Sequence, residues 1–476
     1  MERQGDGKIG RFSSAVRIVS CFAALAAFPA SARGADDPFG VDASIPPRPL
    51  LAAQDGSDFT PCLPRPLGAV YGLLDVVDQA LCRNPQTREA WASARAQAAE
   101  VGVARAAYLP RIDAGVTASR QRADGDAATA RGASLTLSWL LYDSGARDAD
   151  LEAARQLLLA ASGALDATVQ TVFLAAMQAY YDAQAARAAL DAAWQSEKAS
   201  RESLAAAETR HRVGAATPAD SLQARTAWSQ TVLDRIRAEG LAETALGALA
   251  SVMGFDAGTP VALDAIPDAA PGAAFERDVE ALIAEARRLR PDLLAAEARF
   301  RAAQAGVERA RAAGRPTLSL SAGPAWQDTG SIRADRQSIG LTLTLPLFSG
   351  HETTYRVRAA EARAEAAGAQ REALRQQIAL DVWTNHQNLV TATQAVKSAA
   401  DLLSSAEQSE RVALGRYKAG VGTLLDLLNA QSALAKARVQ RIQAALDWFV
   451  SRAALARAVG ALDSRLLLPA AEFPIP

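Results

Sequence analysis

Val213-Gly214-Ala215-Ala216-Thr217-Pro218 and Ala419-Gly420-Val421-Gly422-Thr423-Leu424 are two copies of one helix–turn–helix tip. A glycine can take the left-handed conformation that ends a helix, and the threonine caps the helix that follows. The copies stand at a fixed offset, 420 − 214 = 206. The same offset relates Thr217 to Thr423, Asp220 to Asp426, Pro85 to Pro291, Pro110 to Pro316, Tyr142 to Phe348 and Gly254 to Gly460. Glycine and proline set turns and helix ends, so two segments sharing them share an order of elements. The chain is an internal duplication.

Outward from each tip lie helices. No proline occurs from Ala146 to Arg212 or from Glu352 to Lys418. Leu151, Leu158, Leu165 and Val172 keep a heptad phase, as do Val382, Leu389, Val396 and Leu403. Sustained heptads indicate coiled coil. Each stretch has 212 − 146 + 1 = 67 residues, which as helix spans roughly 100 Å. Returning helices are expected at about Ala219 to Met253 and Leu424 to Val459. Single helices are expected at about Leu67 to Ala107 and Phe275 to Ala313. Stacked end to end on the returning helices, these match one long helix. The sequence reading places the first above the C-terminal helix and the second above the first returning helix. A thicker belt is expected at mid-height, fed by the connection with Pro260, Pro267 and Pro271.

Before each long helix the period changes to two. Ile112, Ala114, Val116 and Ala118 alternate with small polar residues, and so do Leu135, Leu137 and Trp139. Leu318, Leu320 and Ala322, then Ile339, Leu341, Leu343 and Leu345, repeat the pattern. These read as two hairpins with polar loops around Asp124 to Arg131 and Asp328 to Asp335. Their length suits a tilted bilayer crossing of about 9 to 11 residues. Tyr108, Trp139, Tyr142, Trp326, Phe348 and Tyr355 are placed to form interfacial girdles. Four strands do not close a barrel, since the smallest has about eight. Strands that span therefore require further copies of the chain.

Composition narrows the function. The chain is half hydrophobic, rich in alanine and poor in aromatics, which suits closely packed helix seams. A net charge of −1 supplies no basic field for nucleic acid. His211, His351 and His386 are scattered, so no metal cluster is expected. Gly420-Val421-Gly422 lacks the strand and third glycine of a dinucleotide loop. No catalytic residues and no cofactor are expected; the protein is read as a non-enzyme. Arg3, Lys8, Arg11 and Arg17 precede an apolar run from Ile18 to Phe28, and Ala30-Ser31-Ala32 is a small-residue cleavage site, so residues 1–32 read as a signal peptide. Ile18-Val19-Ser20-Cys21 has the form of a lipidation site, but no apolar stretch precedes it. Beyond the signal no run of about 18 apolar residues offers a membrane-spanning helix. Cys62 and Cys82 remain as the mature cysteines. In an oxidising compartment an even pair suggests a disulfide, with two free thiols as the alternative. The reading divides the chain into a Pro-rich segment 33–66, a first repeat 67–254, a linker 255–274, a second repeat 275–460 and a tail 461–476 packed on the belt.

Hairpin, long helix, glycine tip and returning helix, duplicated, resemble the TolC family of outer-membrane export channels. Tyr108-Leu109-Pro110 is similar to the family's entry to the first strand. Leu140-Leu141-Tyr142-Asp143-Ser144-Gly145 and Pro346-Leu347-Phe348-Ser349-Gly350 are similar to its strand exits. The run Arg416-Tyr417-Lys418-Ala419-Gly420-Val421-Gly422-Thr423 onward through Asp426, Asn429 and Gln431 is similar to its second tip. The resemblance implies a mixed, mostly helical fold: a homotrimer whose four strands per chain close one transmembrane barrel, continued by a coiled-coil tunnel across the periplasm. It implies as partners a periplasmic adaptor protein, an inner-membrane ABC transporter and a secreted substrate. Carried over by position, Asp426 and its repeat partner Asp220 ring the pore constriction with Asn429 and Tyr417. Gly214, Thr217, Gly420, Gly422 and Thr423 make the adaptor contact. A desolvated ring of Asp426 would repel itself and titrate high; the alternative is that both aspartates only favour a first helical turn. Asn429 and Gly422 stand where an acidic and a basic residue are the family pattern, so a less charged gate is expected. Across the whole chain the resemblance favours a type I secretion channel for a large RTX-type toxin, of the adenylate cyclase-haemolysin kind. A multidrug or metal efflux duct of the same fold, and a periplasmic coiled-coil structural protein, are the other readings.

Overall fold

A computed structural model describes residues 37–46, 62, 69–123, 126–264, 278–330 and 332–462. The expected signal peptide, most of the Pro-rich segment and all but the start of the tail lie outside them. The described residues up to 44 and those from 45 onward belong to separate compact units. In the first, Val41–Ser44 is a single 3-10 turn. The second holds everything that follows.

Its elements come in the expected order, twice. Strand β1 (Val70–Tyr71) leads into helices α1 (Leu73–Arg83) and α2 (Pro85–Ala106), strands β2 (Arg111–Ala123) and β3 (Asp126–Tyr142), and helices α3 (Ala146–Arg212) and α4 (Pro218–Val252). Strand β4 (Ala262–Leu263) then leads into α5 (Val279–Leu289), α6 (Pro291–Ala312), β5 (Thr317–Asp328), β6 (Arg333–Thr344), α7 (Glu352–Lys418) and α8 (Leu424–Val459). The long helices have the expected 67 residues each. Of their heptad residues, Leu158, Leu165, Val172, Val382, Leu389 and Val396 are buried.

Three details differ from the sequence reading. The helices before the strands are broken, at Asn84 and Arg290, whose extended backbones (ψ 129° and 119°) precede Pro85 and Pro291. A proline's ring excludes the helical conformation from the residue before it. The stacking is also the reverse of that expected. A Cβ on Gly254, at the end of α4, would lie 2.8 Å from Arg83, and one on Gly460, at the end of α8, 3.0 Å from Arg290. Asn84 Nδ2 donates to Val252 O at 3.2 Å. Each returning helix thus seats against the proline break of its own repeat, where only a glycine in the left-handed region (φ 77° and 84°) leaves room. Finally, strand β3 extends through residues 126–131, so most of the expected first loop is strand.

The four strands form one antiparallel sheet in the order β2-β3-β5-β6. The apolar alternation holds, and Val116 and Ile339 are each 81% exposed on the protomer. At mid-height β1 pairs in parallel with β4. Beside them a core of Val76, Val77, Val172, Met177, Leu249 and Met253 is sealed, joined by Leu462 from the start of the tail. One 18-residue window of α3 passes the length and composition test for a membrane-crossing helix. No unbroken apolar run of that length was expected from the sequence, and this helix contains isolated polar residues such as Ser162, Asp166 and Gln170. Much of the buried face of α3, including Val172, Phe173 and Met177, packs in the mid-height core.

Candidate functional site

The two tips are built alike, from helix-end chemistry. Gly214 and Gly420 hold φ of 77° and 78°. At the first tip Ala215 N donates to Arg210 O at 2.8 Å, and at the second Val421 N donates to Arg416 O at 3.0 Å. These bonds satisfy carbonyls that a helix end would leave open. Each following helix opens with a reciprocal capping box. Thr217 N donates to Asp220 Oδ2 at 2.8 Å and Asp220 N returns to Thr217 Oγ1 at 3.3 Å. Thr423 N donates to Asp426 Oδ2 at 3.3 Å and Asp426 N returns to Thr423 Oγ1 at 3.1 Å.

Those caps set the aspartates' charge. The backbone N–H of Thr217, then its hydroxyl, holds the Asp220 carboxyl below the usual range. The Thr423 side chain, then its backbone N–H, does the same for Asp426, with a smaller pull from the Arg416 charge. In the protomer the caps favour the charged form of both carboxylates; the high titration expected of a desolvated ring applies to the assembly. The protomer leaves both side chains in solvent, so the desolvation that would raise them is missing.

The residues marked from sequence fall into two environments. Asp426, Asn429 and Gly422 meet in one groove of about 540 Å³ between α7 and α8, walled also by Ser409, Ala413 and Arg416. Tyr417 is not in it. That ring is buried, 6% exposed, in a cluster with Leu204, Ala207, Ala224, Leu424 and Leu427 that joins the first coil, α3/α4, to the second, α7/α8. Asp220 stands at the other tip. Cys62 and Cys82 form a disulfide, with Cα atoms 5.8 Å apart. The buried Asp78 carboxylate accepts from Cys62 N at 2.9 Å. With both sulfurs bonded to each other, this Cys–Asp–Cys group has no thiolate to offer an ion.

Two arginines, Arg210 and Arg416, were given no role from the sequence. Arg210 Nη2 donates to Tyr417 O at 2.6 Å, and its guanidinium lies 4.3 Å from the Tyr417 ring centroid, a cation–π contact across the coils. Arg416, near the end of α7, places a positive charge in the same groove as Gly422 and Asp426. A Cβ on Gly422 would lie 3.0 Å from Arg416 Cβ, so this backbone favours glycine there. The signal was available: 416 − 210 = 206.

A tip with this backbone, on helices this long, joined to a sheet with an exposed apolar face, has counterparts among known proteins. The family model described as outer membrane efflux protein matches residues 76–255 and again 282–461, and 282 − 76 = 206. The chain is 35% identical over 416 residues to Protein CyaE of Bordetella pertussis, covering 82% of this chain and 84% of that one. It is 25% identical over 398 residues to the outer membrane efflux protein BepC of Brucella suis, covering 82% and 86%. The CmeC outer membrane channel of Campylobacter jejuni superposes with a TM-score of 0.74 at 20% identity, covering 82% of this chain and 86% of that one.

Proposed function

From the premise that the chain belongs to the outer membrane efflux protein family, the TolC family, we propose that it is the outer-membrane duct of a type I secretion system. The family is one of outer-membrane channels rather than enzymes, and this chain resides in the outer membrane. The finer reading is that three copies close a twelve-stranded barrel (3 × 4) and export a large protein, an RTX-type toxin. A periplasmic adaptor would bind the tips, and an inner-membrane ABC transporter would supply the energy.

One observation carries the trimer: the four-stranded sheet ends in two open edges, β2 and β6, and Ile112, Val116, Ile339, Leu341 and Leu343 on those edge strands are exposed. In a bilayer an unpaired strand edge leaves backbone groups unsatisfied, at several kcal/mol each. Closure with other copies removes the edges. In the assembly Asp426 lines the constriction with Asn429 beside it and Asp220 at the other tip, while Tyr417, buried between the two coils of one protomer, supports them from behind. Gly214, Thr217, Gly420, Gly422 and Thr423 form the adaptor's contact.

Protein cargo is favoured by the 35% identity along most of the chain to Protein CyaE. Small-molecule efflux is the second reading, because BepC carries the description efflux protein. Light scattering of the full chain in detergent tests the assembly. A mass of three protomers supports it, and a stable monomer contradicts it. In planar bilayers Asp426→Asn should lower the channel's preference for cations; unchanged selectivity would remove Asp426 from the constriction.

A further inference from the structure

Period two assigns each strand residue to a face, and the pairing register carries that assignment across the sheet, because directly opposed residues share a face. Ile112, Leu137, Ala322 and Ile339 make one cross-strand row, and Trp139, Leu320 and Leu341 make another. This is the apolar face, the one that meets lipid in a barrel. Followed toward the hairpin ends, the same face runs through Val116, Ala133, Trp326 and Asp335, and then through Ala118, Arg131, Asp328 and Arg333. On β2 it continues to Arg120 and Arg122. The opposite face holds small polar rows, with Gly115, Ser134, Ala325 and Arg336 among them.

The apolar band thus ends at Trp326, and a basic band begins one row beyond it. Leu318 to Trp326 is 326 − 318 = 8 residues of strand, roughly 20 Å of height once tilted, close to the full apolar band of a membrane barrel. Arg120, Arg122, Arg131 and Arg333 are all exposed. Arg333 Nε donates to Asp328 Oδ2 at 2.9 Å and Gly330 N to Asp328 Oδ1 at 2.8 Å, so that carboxylate is occupied. Among the described residues no ion pair holds Arg120, Arg122 or Arg131. Arg120 and Arg131 are diagonal neighbours across β2 and β3, about 7 Å apart at their Cβ atoms, near enough for both guanidiniums to grip one anion. Adding 206 to their positions and to that of Arg122 gives Trp326, Gln337 and Asp328. The basic cluster therefore belongs to the first hairpin alone, and the duplicated fold does not require it.

We infer that Arg120, Arg122 and Arg131 form a lipid site that binds the phosphate groups of a glycolipid in the outer leaflet, with its acyl chains lying along Val116, Ala118 and Ala133. The inference rests on the barrel reading above, since closure is what turns this face to lipid. The hairpin ends lie at the opposite end of the sheet from the long helices, so the basic band falls at the outer headgroups. There an arginine on the lipid-facing side is tolerated, because its stem can lie along the apolar band while its head stays among polar groups. A guanidinium is planar, weakly hydrated and able to take a phosphate through two parallel hydrogen bonds. One such site per subunit would fix the height of the barrel in the membrane, with Trp326 marking the edge of the hydrocarbon.

Native mass spectrometry of the full chain, purified in detergent and mixed with bisphosphorylated lipid A, tests the site. Bound lipid should approach one per subunit, and lipid A stripped of its phosphates should bind about tenfold more weakly. Arg120→Gln with Arg131→Gln should lower the affinity for the bisphosphorylated form about tenfold. Arg336→Gln, on the opposite face of the sheet, should leave it unchanged. Equal binding of the two lipids would overturn the inference, and so would a loss at Arg336 as large as that at Arg120 and Arg131. Displacement of the lipid by millimolar inorganic phosphate would make the cluster a site for free phosphate and overturn it as well. Light scattering separates the failures: absence of a trimer overturns the barrel reading, whereas a trimer that does not distinguish the two lipids overturns the lipid site alone.

Discussion

Ser144-Gly145 and Gly350-His351 occupy the same turn between barrel strand and long helix, and they reach it with different residues. Both pairs hold two successive positive φ angles, 56° and 90° in the first repeat, 60° and 67° in the second. Around the first, Arg147 Nε bonds Asp143 Oδ2 at 3.0 Å, Arg147 Nη1 bonds Leu140 O at 2.7 Å, and Ser144 Oγ donates to Pro316 O at 2.8 Å. Around the second, the twins of Asp143 and Arg147 are Ser349 and Thr353, whose hydroxyls face each other at 3.4 Å. Duplication has kept the backbone conformation that each turn needs, while the side-chain bonds around it have diverged. The tips repeat the lesson, with matching glycines and caps but different side chains around them.

The comparison breaks hardest where backbone is irreplaceable. Gly420→Leu forces a branched side chain into the left-handed region, which disfavours it by about 1–2 kcal/mol, and it reshapes the proposed adaptor contact. Export should be abolished while trimers still form on native gels; undiminished export would remove the tip from the transport path. Next come the diverged bonds. Arg147→Ala leaves the buried Asp143 carboxylate without its ion pair and should lower stability by about 3 kcal/mol in denaturant unfolding. Thr353→Ala at the twin position should change it by less than about 0.5 kcal/mol. Equal losses would mean that the junctions are energetically alike after all. Smaller still, His351→Gly relieves a non-glycine residue at φ 67° and loses an edge contact with Phe348. It should gain about 0.5 kcal/mol in the same assay.

The smallest effect is on pH. Asp220 and Asp426 both titrate below their ordinary value. Their contribution is therefore fully present above the unfolded carboxylate pKa of about 3.9 and lost as pH falls through the lower folded value. The first turns of α4 and α8 should stay protected from hydrogen exchange at about pH 5 and fray only once the pH has fallen below the ordinary carboxylate value of about 3.9, after correction for intrinsic rates. Fraying that begins near neutrality would contradict the capped geometry.

Much of this was legible in the chain. The offset fixed the element order because Gly214, Gly420, Pro110 and Pro316 each impose a local conformation that tertiary contacts cannot easily override. The heptads announced the long helices, and the period-two runs announced the sheet. Pro85 and Pro291 were noted as markers yet not used as breaks, although the residue before a proline resists helix by its own sterics. The stacking was misplaced because end-to-end contact is set by which backbone lies against Gly254 and Gly460, a fact with no linear signature. At the tips, Asp426 was visible from its motif. Arg210 and Arg416 were not singled out, because an arginine on a polar helix face reads as solvated until the opposing ring is in place.

The measurement closest to the central claim is the secreted proteome of a strain lacking this gene, beside its parent. Loss of one large protein from the medium, with its retention in the cells, is the outcome the protein-export account predicts. An unchanged medium together with new sensitivity to small toxic compounds would contradict it and make the duct an efflux channel.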